Sequence, residues 1–115
     1  MAGRVKTEGG ETRSISVTIN GSTTSAAFEV PGILVGLAVP ASVAGASMTF
    51  EVSDSIAGTF QELRLTSDTA LTVTMTASKT YILEPSLFAC ARYVKLVSAA
   101  SETSKTFTVF YRPVA

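Results

Sequence analysis

Met48-Thr-Phe-Glu-Val-Ser-Asp-Ser-Ile-Ala-Gly-Thr-Phe-Gln-Glu-Leu-Arg-Leu65 decides the fold class. Met48, Phe50 and Val52 alternate with Thr49 and Glu51, the period of a strand with one buried face. Ser53 to Gly58 is a run of turn formers. Leu63 and Leu65 then alternate with Glu62 and Arg64. The stretch predicts a β-hairpin with a loop longer than two residues.

The same pattern extends outward in both directions. Ile15, Val17 and Ile19 alternate with Ser14, Ser16 and Thr18. Asn20-Gly21 follows, a strong turn signal because a type I′ turn needs positive φ at both central positions. A short strand over 26–30 ends at Pro31-Gly32. Ile33 to Val39 is continuously apolar, which implies cover on both faces. Beyond the hairpin, Leu71, Val73 and Met75 alternate with threonines. Thr80 to Leu83 and Arg92 to Val97 predict two further strands, and Pro85 to Ala89 a helical turn that plugs the core. Ser98 to Ser104 predicts a polar loop before a last strand, Lys105 to Tyr111, apolar on both faces. About eight or nine short strands with regular turn signals predict an all-β fold. The expected architecture is an antiparallel β-sandwich, with jelly-roll topology as its candidate form. The predicted core is Ile15, Val17, Ile19, Phe28, Leu34, Leu37, Phe50, Val52, Leu63, Leu65, Leu71, Val73, Leu83, Phe88, Val94, Leu96, Phe107 and Val109.

A chain of 115 residues predicts one domain. Residues 13–115 are assigned to it, and the glycine-rich, polar residues 1–12 to a flexible N-terminal arm. Nine basic residues balance nine acidic ones. Direct nucleic-acid binding, which favours a basic excess, is therefore not expected. No apolar run reaches membrane-span length and no signal-peptide core is evident, so neither membrane insertion nor export is expected. The single cysteine, Cys90, reads as a small buried apolar residue.

Histidine is absent, which removes serine triads and most zinc sites. Glu51 and Glu62 fall on adjacent hairpin strands and read as solvated carboxylates, with Arg64 as a partner. Asp54 and Asp68 sit in turns with one acid per loop, too few for a calcium site. Tyr81, Tyr93 and Tyr111 read as half-buried strand tyrosines. No cofactor or metal is expected, and the chain is not read as an enzyme.

Three segments together carry a resemblance: Phe50-Glu-Val-Ser-Asp-Ser-Ile-Ala-Gly-Thr-Phe-Gln-Glu-Leu63, Lys79-Thr-Tyr-Ile-Leu-Glu-Pro-Ser-Leu-Phe88 and Ala91-Arg-Tyr-Val-Lys-Leu96. With the Ile33–Val39 strand and its Pro40-Ala41 ending, they resemble small virion structural proteins of tailed bacteriophages over roughly Gly32 to Ser98. The resemblance implies a β-sandwich head decoration (cement) protein, assembled in the host cytoplasm and placed on the head surface. Its implied partners are the major capsid protein and further copies of itself, as a dimer or trimer. The same elements are also similar to discoidin-type, galactose-binding-like modules, which implies the alternative of a tail or fibre component that binds carbohydrate. There the Arg-Tyr-Val strand is scaffold, and the tryptophans and terminal cysteine pair of that family are absent here.

Apolar residues on both faces of Ile33–Val39 and Phe107–Tyr111 suggest subunit contact. The candidate contacts are Arg4 and Lys6 in the arm, Pro40, Ala41 and Ser42, the hairpin-loop residues Asp54, Ser55 and Ile56, and Phe110 and Tyr111.

Overall fold

A computed structural model describes residues 12–113, and the chain is all-β. Among the described residues, ten strands run in the order β1 (Arg13–Ile19), β2 (Ser22–Thr24), β3 (Phe28–Glu29), β4 (Gly32–Ala38), β5 (Ser47–Ser53), β6 (Gln61–Glu62), β7 (Val73–Thr74), β8 (Thr80–Ile82), β9 (Tyr93–Glu102) and β10 (Lys105–Pro113). A 3-10 turn covers Pro85–Phe88. Its first residue is the proline, whose missing N–H is no loss at that position. No helix among the described residues is long and apolar enough to cross a membrane.

The strands form two antiparallel sheets. One is four-stranded, in the order β1-β10-β4-β8. The other follows β2-β9-β5-β6, with β3 also paired to β9 and β7 to β5. The pairing is strongly non-local: Arg13 lies opposite Tyr111, and Phe28 opposite Val94. Among the described strand pairs, only β5–β6 joins strands that follow one another in the chain.

Alternation sets the burial. In β10, Phe107, Val109 and Tyr111 point inward, while Thr106, Thr108 and Phe110 take the other face. Val17, Ile19, Leu34, Leu37, Phe107 and Val109 from the four-stranded sheet share one buried cluster with Met48, Phe50, Val94 and Leu96 from the six-stranded sheet. Phe88 of the 3-10 turn meets Phe50 edge to face, with ring centres 5.0 Å apart. That arrangement suits the aromatic quadrupoles.

Several expectations are corrected. Leu65 is not core: the hairpin pairing ends at Glu62, so the chain leaves the sheet and Leu65 stays exposed. Ser98 to Ser104 is not a loop. β9 runs to Glu102 and turns within two residues, with Ser104 at φ 52°. Cys90 is exposed, because Phe88 and Ala91 on either side of it take the inward positions. Asn20-Gly21 makes a corner between sheets, since β1 and β2 belong to different ones. Only Gly21 of the two has positive φ. Val30, Val39, Met48, Met75, Ala91 and Tyr111 join the core beyond the expected set.

Candidate functional site

The candidate contacts fall on separate surfaces. Arg4 and Lys6 lie outside the described residues. The loop from Pro40 to Ala46 enters β5, and the loop with Asp54, Ser55 and Ile56 leaves it. Seven residues of strand separate them, roughly 20 Å. Phe110 sits on the outer face of the four-stranded sheet, whereas Tyr111 is buried within the core. Tyr111 is therefore turned away from any partner by the same alternation that puts the half-buried Phe110 on the outer face.

The loop that carries Pro40, Ala41 and Ser42 is fastened by a group the sequence disguises. Glu102 is fully buried. Its carboxylate accepts hydrogen bonds from the Ala44 N–H at 2.9 Å, the Gly45 N–H at 2.9 Å and the Ser98 hydroxyl at 2.7 Å. A buried carboxylate is tolerated only when its oxygens are satisfied in this way. Gly45 is required for the approach, because a Cβ there would lie 2.1 Å from Ser98 Oγ. Burial pushes the Glu102 carboxyl up, but the Ala44 amide, the Ser98 hydroxyl, the Gly45 amide and the Lys105 charge together hold it below its ordinary value. Lys105 also donates to Ser42 Oγ at 2.7 Å, a second tie to the same loop. Exposed Ala41 and Ser42 are thus held on a pinned loop.

The hairpin loop is braced more lightly. Ser55 N–H donates to Ser53 Oγ at 3.2 Å, and Gly58 N–H to the Ser55 carbonyl at 3.1 Å. Ile56 projects into solvent with 57% of its surface exposed. A groove of about 450 Å³ opens between residues 63–71 and 86–90, lined by Leu63, Leu65, Leu71, Leu87 and Cys90, with Arg64 among its other lining residues. Arg64 is braced by Asp68, at 3.0 Å to its carboxylate and 2.6 Å to its carbonyl, and by Glu62. These bonds, that to the Asp68 side chain first, raise the guanidinium further above its already high pKa. The pairing expected between Arg64 and Glu62 is present.

The outer faces of the two sheets differ in charge. On the six-stranded sheet, Lys95 lies opposite Glu51, and Glu51 opposite Glu62. Glu29 pairs with Arg92 at 3.7 Å near its edge. On the four-stranded sheet, one row across the strands reads Ser14, Phe110, Gly36 and Ile82, and the next Ser16, Thr108, Ala38 and Thr80. Phe110 lies over Gly36, where a Cβ would meet its ring at 3.2 Å. Ile82 is 91% exposed. Arg112, at one end of β10, is exposed and brings a charge to the same face.

No protein-family model, curated protein or solved structure matches the chain in comparisons with each.

Proposed function

We propose that this chain is a virion structural protein of tailed bacteriophages, a head decoration protein built on a jelly-roll sandwich that binds the major capsid protein across capsomer joints. The strand order carries this reading. With β2 and β3 counted as one interrupted strand, and β6 and β7 as another, the chain has eight strands. One sheet then reads first-eighth-third-sixth and the other second-seventh-fourth-fifth. First pairs with eighth, second with seventh, third with sixth and fourth with fifth, which is a long hairpin rolled up into two layers. That arrangement recurs in viral capsid domains. The resemblance of Phe50–Leu63, Lys79–Phe88 and Ala91–Leu96 to phage virion proteins is the separate support for this reading.

The mechanism is stabilisation by contact area. A sheet face with Phe110 and Ile82 near its middle and charge only at one end suits a partner surface, because charged residues are depleted at interface centres. The pinned loop with Ala41 and Ser42 limits the entropy lost on docking. Weak contacts to several capsomers add through multivalency. The carbohydrate alternative has less support, since Tyr111 is buried and the half-buried Tyr93 has Arg92 over its ring at 5.3 Å.

Sedimentation of purified protein with mature heads lacking it tests the proposal. Saturable binding at micromolar concentration is expected; a protein that stays in the supernatant overturns it.

A further inference from the structure

We propose that the outer edge of β1 pairs antiparallel with β1 of a second copy of this chain, joining two four-stranded sheets into one of eight strands. The inference concerns the free protein and does not depend on head binding.

A comparison of the sheet edges carries it. β8 has three residues, between Lys79 and the Glu84-Pro85 pair. β2 and β3 have three and two residues, and the β2 pairing is broken by a register shift. β6 and β7 have two residues each. Short or broken edges, with charge or proline beside them, are how proteins block strand addition. β1 has only one of these devices, the charge of Arg13 at its first position. It is seven residues long, and Ser14 to Ile19 contains no charge, proline or glycine. Among the described residues β1 pairs only with β10, so alternate N–H and C=O groups along its other side meet no strand.

The occupant is a second copy because β1 is complementary to itself. The two-fold register that pairs all seven residues sets Ser16 opposite Ser16. It also sets Ser14 opposite Thr18 and Ile15 opposite Val17. Both sides of the joined sheet keep their character, and hydroxyl and aliphatic pairs are favourable cross-strand neighbours. Ile15 is the one inward residue of β1 that stays only half-buried, and it gains cover from Val17 of the second copy. The two Arg13 side chains fall at opposite ends, about 20 Å apart along the strands, where solvent screens them. Zero net charge adds no general repulsion.

Sedimentation equilibrium of the full chain tests the proposal. A species of twice the 12.0 kDa chain mass is expected. Ser16→Lys places like charges on the two-fold axis and weakens the dimer about tenfold or more. Ser16 is exposed, so the circular dichroism of that variant stays native. In a Cys90→Ser background, Ser16→Cys forms a covalent dimer on oxidation, because directly paired strand residues lie about 4.5–5.5 Å apart at Cα, within disulfide reach. A monomer at millimolar concentration overturns the proposal. So does a dimer that Ser16→Lys leaves intact, or a dimer that Ser16→Cys does not cross-link.

Discussion

The two sheets share one core but handle charge in opposite ways. The six-stranded sheet carries charge on both sides: Glu102 inside, and Lys95, Glu51 and Glu62 outside. The four-stranded sheet has apolar residues inside and a mostly hydroxyl, small and apolar face outside. Placing charges opposite one another suits a face that meets water. A face with Phe110 and Ile82 among threonines, serines and Gly36 is costlier to leave wet and easier to dock. Under the proposed function, the contact surface lies on the four-stranded sheet, whose outer residues are the plainer.

The inner charge gives the largest expected effect. Glu102→Ala leaves two amides and the Ser98 hydroxyl without their acceptor and opens a void, a loss of about 3 kcal/mol read from denaturant unfolding. Glu102→Gln keeps the volume and one acceptor oxygen and loses roughly half of that. A Glu102→Ala protein as stable as the wild type would remove the claim that this carboxylate pins the loop.

Acid should act through the same group. The folded Glu102 carboxyl titrates below its unfolded value, so in acid the unfolded chain binds the proton more readily. Its contribution is complete above the unfolded carboxylate value of about 4.3 and is lost as pH falls through the folded one. Unfolding midpoints for wild type and Glu102→Gln should therefore converge as pH drops below about 4. Parallel curves would contradict the sign of the shift.

The outer charges should matter least for stability. Arg64→Ala removes exposed ion pairs, which contribute little, and should leave the thermal midpoint nearly unchanged. Ile82→Lys should be equally silent in stability because Ile82 packs against little. A large drop in thermal midpoint for Arg64→Ala would show that the exposed network holds the hairpin loop more firmly than its solvent exposure implies.

Local pattern made much of this legible. Met48–Val52, Phe107–Tyr111 and the Pro85 turn can be read because their neighbours in sequence set their burial. Glu102 could not. It continues the inward positions of Val94, Leu96 and Ser98 in register, but its polarity disguises the strand as a loop. The signal that could have found it is period two carried on past Leu96. Leu65 failed for the opposite reason, since its alternation persists after the pairing has stopped. The pairing of β1 with β10 spans nearly the whole chain, and no local feature encodes it. Likewise the contact residues named from loops and apolar runs scatter over separate surfaces, because sequence adjacency says nothing of which face a loop shares.

The most direct test is quantitative co-sedimentation of three proteins with mature heads: wild type, Ile82→Lys on the four-stranded sheet's outer face and Lys95→Glu on that of the six-stranded sheet. Under the proposed function, saturable micromolar binding is expected of wild type and Lys95→Glu, and at least a tenfold loss of Ile82→Lys, about 1.4 kcal/mol or more. Equal binding by Ile82→Lys and wild type, or no binding by any of the three, would contradict it.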